Sequence, residues 1–357
     1  MNRVGGVAHR PDGDLVTADL ADLADLPGLP KESPRLSWSG TVDLALLHRR
    51  NPDEAFLTDA AATGPDAFAA AALLPPDHPH YGGHTGPSRH RDPMLLLECA
   101  RQAETYAAHA LYGVEPDAHF VLRSWAAEFS QPLPGDSVLP ESSTELLLTA
   151  RTGNARLLRN RLHGLDYDLR LTAGGESAGR VRMAVGYLGH RAYTVLRARA
   201  HPDGLPSSDR LVPAGGTPVA PARVGRLRAT DVLLLDLTAG AGSIHARLRV
   251  PVENPSLFDH AQDHIPAMVL IEAARQLATL ATAAWDGPAP EAGWMAAMTA
   301  SFSAYAELAE PIALAATPAG PEIDISFVQG GNPIAEARVA IAAAGPQGGA
   351  RWLGPPS

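Results

Sequence analysis

The sequence predicts an α+β chain of two like halves, each an antiparallel sheet wrapped around one long buried helix. Three observations predict it. The first is a stretch that occurs twice: His90 to Gln102 reads HRDPMLLLECARQ, and His264 to Gln276 reads HIPAMVLIEAARQ. Aligned without a gap, His90, Met94, Leu96, Glu98, Arg101 and Gln102 meet His264, Met268, Leu270, Glu272, Arg275 and Gln276. The second is a pair of apolar runs, broken by a turn, ahead of each copy. The third is a later ungapped match of DLRLTAGG, ending at Gly175, with DISFVQGG, ending at Gly331. Gly-Gly between alternating runs reads as a hairpin turn.

The elements follow in chain order. Residues 1–35 are polar, Asp-rich and broken by Pro and Gly, which marks a loosely attached tail. Ser39 to His48 fits either a strand or a short helix. Glu54 to Asp59 and Ala67 to Leu74 flank a turn at Thr63-Gly64-Pro65-Asp66 and read as a hairpin. Asp231 to Asp236 and Ile244 to Val250 do the same around Ala239 to Gly242. Each hairpin opens into a loop rich in Pro and His, 78–93 and 254–266, that feeds the repeated helix. Asp92-Pro93 supplies an N-cap and a first-turn proline to the first helix. From Met268 to Trp285 the only polar residues are Glu272, Arg275, Gln276, Thr279 and Thr282, so that helix is buried. After the helices, Ala127-Glu128-Phe129-Ser130 parallels Ala300-Ser301-Phe302-Ser303. Strands at 178–187 and 335–342 place Arg182 opposite Arg338, as exposed or pairing residues. The halves are thus residues 36–200 and 222–344, with a Pro/Gly-rich linker at 201–221 and a tail at 345–357. A sheet around a long helix is the hotdog arrangement. Two in one chain form an intrachain pseudo-dimer with pseudo-twofold symmetry, as a monomer or a homodimer.

Composition narrows the function. The 357 residues include 39 acidic and 29 basic ones, a net charge of −10 that speaks against a nucleic-acid surface. Cys99 is the sole cysteine, which excludes an intrachain disulfide; inside an apolar helix it reads as a buried structural thiol. No signal peptide is evident and no apolar run approaches membrane-spanning length, so a cytoplasmic protein is expected.

The chemistry-bearing residues cluster at the repeated stretch. Glu, Arg and Gln at i, i+3 and i+4 share one helix face, and burying them requires partners. Glu98 with Arg101, and Glu272 with Arg275, fit buried structural ion pairs as well as they fit chemistry. The loops offer His84 and His90 in the first half and His260 and His264 in the second as bases. His78 and His80 sit in a His-Pro-His setting typical of a polar loop. No metal site is expected, because the histidine spacing fits no familiar motif. Arg89, Arg91, Arg101 and Arg275 are the nearest guanidiniums for an anionic substrate.

Two resemblances attach to these residues. Tyr81-Gly-Gly-His84 ahead of Glu98 looks like the His and Glu spacing of hotdog acyl-carrier-protein dehydratases. More specifically, His90-x-Asp92-Pro93-x-Leu95-Leu96-x-Glu98-x-x-Arg101-Gln102 resembles the A-factor biosynthesis hotdog family. So does Phe258-Asp-His260-x-x-x-His264-x-Pro266-x-Met268-Val269-Leu270-x-Glu272-Ala273-x-Arg275-Gln276, and so do Leu47-His48 and Phe56-Leu57-Thr58-Asp59. Ala267 departs from that family's usual Gly. The resemblance implies an acyltransferase that joins a β-ketoacyl group, carried on acyl carrier protein, to dihydroxyacetone phosphate or a similar hydroxylated acceptor. The products would be precursors of γ-butyrolactone, butenolide or furan signalling molecules or related specialised metabolites. His84, His90, Glu98, His260, His264 and Glu272 are then the catalytic candidates. Arg91, Arg101, Gln102, Arg275 and Gln276 are the substrate-binding ones, and no cofactor is expected. The alternatives are an acyl-thioester dehydratase or hydratase, and a double hotdog that binds acyl ligands without catalysis.

Overall fold

The computed structural model describes residues 35–85, 90–130, 133, 143–212, 215–240, 242–285 and 287–343. The expected tails, except Arg35, and Arg89 lie outside the described residues. The first half contains β1 (Leu57–Gly64), β2 (Ala67–Leu74), α1 (Pro93–Ala110), β3 (His119–Phe129), β4 (Thr144–Leu158), β5 (Arg161–Ala173) and β6 (Glu176–Leu188). A helix, α2 (His190–Ala200), follows. The second half contains β7 (Leu234–Gly240), β8 (Ser243–Leu248), α3 (Ala267–Ala284), β9 (Gly293–Phe302), β10 (Ile312–Ala319), β11 (Glu322–Gln329) and β12 (Asn332–Ala343).

The strands form one antiparallel sheet in the order β1-β2-β4-β5-β6-β3-β9-β12-β11-β10-β8-β7. Each half therefore contributes six strands in the same internal order, and the halves meet edge to edge at β3 and β9. The register there is self-symmetric. Ala126 pairs with Thr299, and these two hold the same place in the repeats when Ala127 is aligned with Ala300. A twofold axis passing between them is what an isologous contact requires. The double hotdog is thus one sheet whose two halves each curl around a helix.

Local chemistry supports each element. Gly174-Gly175 and Gly330-Gly331 all take positive φ (58°, 82°, 56° and 79°), the backbone of a two-residue hairpin turn with the right twist. Asp92 caps α1, its Oδ1 accepting the Met94 N–H at 2.9 Å, with Pro93 in the first turn. Leu95, Leu96 and Leu97 are buried, and each such leucine contributes about 1.5–3 kcal/mol. The Cys99 thiol is fully buried and pushed well up by that burial. Helix α3 corrects one expectation: at 18 residues it is long and apolar enough to cross a membrane. It is, however, 78% buried inside the protein, which makes it a core helix.

Helix α2 has no counterpart among the described residues of the second half. Its inner face carries Tyr193, whose ring stacks on His119 at 3.6 Å, and Arg197, which pairs with Asp263 and Glu307. It thereby ties the end of the first half to the loop and strands of the second. Beyond it, Ser208–Arg210 and Pro221–Val224 form 3-10 turns, and Pro218 bridges to Leu235.

Candidate active site

Each half enters its sheet by the same short path. Leu44–Leu47 is a 3-10 turn ending on His48, which is left-handed at φ 52°. Pro221–Val224 ends likewise on Gly225 at φ 69°. Arg49 and Arg226 come next, then 3-10 turns at Pro52–Glu54 and Ala229–Asp231, then β1 and β7. The undecided segment around Ser39 to His48 is therefore a short 3-10 helix. The two glutamines clip this path to the helices. Gln102 accepts the Phe56 N–H at 2.8 Å and donates to the Glu54 carbonyl at 2.7 Å. Gln276 accepts the Leu233 N–H at 2.8 Å and donates to the Asp231 carbonyl at 2.7 Å.

The entry arginines then reach the helix glutamates. Glu98 accepts from Arg49, Arg101 and Gln102, with the shortest contacts at 2.6 Å. Glu272 accepts from Arg226 and Arg275 at 2.8 Å and from Gln276 at 2.6 Å. Both carboxylates are fully buried. Burial pushes the Glu98 carboxyl up, but Arg101 and Arg49 outweigh it and hold it at about 2. Arg226 and Arg275 do the same to Glu272, which lies well below the usual carboxylate range. Groups so placed stay ionised and anchor guanidiniums.

The halves then exchange parts at two poles. At the α3 pole, Arg226 donates to the Asp92 carboxylate (2.9 Å) and the His80 carbonyl (3.0 Å), both from the first half. His84 lies beside these groups with its Nε2–H on the His90 carbonyl at 2.9 Å. Burial lowers its pKa and Asp92 only partly offsets that. The space left is about 30 Å³, lined by His84, His90, Asp92, Arg275 and Trp294, enough for about one water. At the α1 pole, Arg49 reaches only the Ser256 carbonyl of the second half, at 3.4 and 3.5 Å. The position matching Asp92 is Pro266, so among the described residues no carboxylate from the other half pairs with this arginine, and Glu54 of its own half adds to the pull of Glu98 on it. Asp259 instead accepts the backbone N–H groups of Arg50 and Asn51. His260 follows it, bonded to Asp259 at 3.3 Å and Gln262 at 2.8 Å.

The α1 pole also holds histidines that the α3 pole lacks. His48 Nε2 lies 2.8 Å from His109 Nε2, where the other half has Gly225 and Ala283. The protons can be placed. His109 Nδ1 faces the Val114 carbonyl at 2.9 Å, which only accepts, so Nδ1 carries the hydrogen. In the tautomer with that Nδ1–H, the His109 Nε2 accepts from His48 Nε2–H. His48 is left with a lone pair on Nδ1 and, among the described residues, no donor on it. Burial, Arg101 and His109 lower its pKa to about 3, which favours the neutral ring. His260 and His119 act on the same ring.

The A-factor biosynthesis hotdog domain matches residues 33–188 and 210–344. The chain belongs to the A-factor biosynthesis hotdog family. The 2-oxo-3-(phosphooxy)propyl 3-oxoalkanoate synthase of Streptomyces virginiae is 33% identical over 281 residues, 78% of this chain and 88% of that one. The synthase of the same name from Streptomyces coelicolor is 32% identical over 276 residues, 77% of this chain and 82% of that one. Among solved structures, the dehydratase domain from the CurF module of curacin polyketide synthase aligns with TM-score 0.48 and 10% identity, over 85% of this chain and all of that one.

In this A-factor family member the site candidates separate into four groups. Glu98, Gln102, Glu272 and Gln276 are wholly buried, and Arg275 is nearly so. Arg101 is about one-fifth exposed and looks out over the α1 pole. His84 and His90 line the small α3 cavity with Arg91, whose guanidinium is spent on the Pro75 carbonyl and Thr144. His260 lies at the α1 pole. His264 sits apart, bonded to Asp263 at 2.6 Å and edge-on to Tyr305, within the α2 cluster. One expectation is corrected. His78 and His80 are buried rather than polar loop residues: His80 bonds Asp231 of the second half at 2.9 Å, and His78 lies 3.6 Å from Glu54 of its own half. His48, carried only by the family resemblance, sits with the unpredicted His109 at the α1 pole.

Proposed function

We propose that this enzyme transfers a 3-oxoalkanoyl group from a carrier-bound thioester to the hydroxyl of dihydroxyacetone phosphate, or a similar hydroxylated acceptor, and does so in the cytoplasm. The ester that such a transfer would form is the product named for its Streptomyces relatives. The observation that carries the assignment to the α1 pole is the unpartnered Nδ1 of His48 beside Arg101.

His48 Nδ1 takes the proton of the acceptor hydroxyl as its oxygen attacks the thioester carbonyl carbon. The carbon–sulfur bond breaks, and the proton passes from His48 to the departing thiolate, so no net proton is taken up. His109 orients the ring throughout. Arg101, held by Glu98 and by longer 3.3 Å contacts to the Leu47 carbonyl, is the partly exposed guanidinium that would turn to the acceptor phosphate. Arg49, paired with Glu98 but without the cross-half carboxylate that Asp92 gives Arg226 at the other pole, adds positive charge behind it. Glu98 and Glu272 hold these guanidiniums and move no proton. The α3 pole, with space for one water, serves as scaffold.

The test is mass spectrometry of the purified protein with a 3-oxoacyl thioester and dihydroxyacetone phosphate. A phosphorylated 3-oxoacyl ester, with one free thiol per ester, supports the reading. Free acid or a dehydrated chain as the sole product would overturn it.

A further inference from the structure

We infer that the outward face of α2 is the docking surface for an acidic carrier protein that presents its thioester to the α1 pole. The inference rests on the acyl-transfer reading above for the identity of the cargo. Helix α2 reads HRAYTVLRARA, with three arginines and no acidic residue, on a chain of net charge −10. Tyr193 and Arg197, four apart, face inward. Arg191, Val195 and Arg199, at i, i+4 and i+8, form one outward stripe. All three are exposed, and Leu196 beside them is 46% exposed. Neither Arg191 nor Arg199 makes an ion pair among the described residues. Two cations without ion pairs among the described residues, around an apolar centre on a chain of net negative charge, attract and orient an acidic helical partner.

The inner face of α2 explains why docking there would serve this pole. Tyr193 stacks on His119, one of the rings that act on His48. Its hydroxyl donates to Asp263 at 2.7 Å, and Asp263 lies three residues after His260 in the same loop. Arg197 holds Asp263 and Glu307 from beneath. The helix thus braces two chain segments that flank the α1 pole while its outer face stays open. A thioester on a flexible phosphopantetheine arm, carried by a protein seated on α2, is delivered to that pole.

The experiment compares the full chain with its R191E/R199E variant. The affinity for an acidic phosphopantetheine carrier protein bearing a 3-oxoacyl group is read by fluorescence anisotropy. Turnover is read with that carrier and with a small 3-oxoacyl N-acetylcysteamine thioester. The expected result is a Kd for the carrier weakened about tenfold or more, a salt-sensitive wild-type Kd, and an unchanged KM for the small thioester. Because the substituted side chains have no ion-pair partners among the described residues, folding is preserved; L196D, which leaves the two arginines alone, should also weaken carrier binding. Equal carrier affinity in wild type and variant, or no binding by the wild type, overturns the inference. If wild type makes no ester from either thioester while carrier binding still depends on the two arginines, the acyl-transfer reading falls and the docking surface stands.

Discussion

Replacing Glu98 by Gln removes the one negative charge between Arg49 and Arg101 and leaves two guanidiniums in the core. The magnitude follows from the site. Its carboxyl is held at about 2 against an ordinary 4.5, and at 1.36 kcal/mol per unit the lost interaction is about 3 kcal/mol. Breaking a buried pair by deleting one partner costs about 3–5 kcal/mol, which agrees. With about 2.1 cal/mol/K of unfolding entropy per residue, roughly 300 ordered residues lose about 5 °C in Tm. The pH dependence has a definite sign. A depressed folded pKa gives stability that is present above about 4.5 and lost as pH falls toward 2, and Glu98→Gln should lack that acid-side loss. Differential scanning calorimetry from pH 3 to 7 measures both, alongside turnover of the folded enzyme. A variant that melts with the wild type, yet has lost its turnover, would refute the structural role and return Glu98 to the chemistry.

Two further outcomes follow from the same core. Glu104 is buried with only Thr105 and Tyr187 as donors, and burial raises its pKa to about 7. A raised folded pKa gives stability that is present below about 4.5 and lost as pH rises through 7, so Glu104→Gln should stabilise the protein above pH 7, by at most about 3 kcal/mol; denaturant titration at pH 5 and 8 checks this. Gln276→Ala orphans the Leu233 N–H and the Asp231 carbonyl and should cost about 2–3 kcal/mol without moving the KM for either substrate, as thermal melts and steady-state kinetics would show.

The fold was legible because its strongest signals are local. Two helical stretches with the same polar triplet, and Gly-Gly turns that only positive φ explains, name themselves in one dimension. The entry paths were not legible. Residues 44–57 and 221–234 align without a gap in space, yet His48 faces Gly225 and Asn51-Pro52 faces Arg228-Ala229, leaving little identity beyond Arg49 with Arg226. A hint existed all the same: buried Gln102 and Gln276 needed backbone partners, and only a short extended path could supply them. Which helix each loop histidine meets was not legible for a different reason. Sequence places His84 fourteen residues before Glu98, whereas the twofold arrangement brings it to Arg226 and Arg275 of the other half. Helix α2 was missed because its larger aliphatic side chains, Val195 and Leu196, point outward while Tyr193 and Arg197 point inward, which leaves no apolar face toward the core to detect.

The measurement that bears most directly on the account is the turnover of His48→Gly set beside that of His84→Ala. Glycine suits the left-handed backbone at position 48, as Gly225 shows in the other half, so the fold is kept. Loss of a general base lowers kcat by about 10²–10⁴-fold. The account predicts that loss for His48→Gly with partial rescue by added imidazole, and a change of less than about tenfold for His84→Ala. The reverse pattern, with His48→Gly active and His84→Ala silent, would place the chemistry at the α3 pole and contradict it.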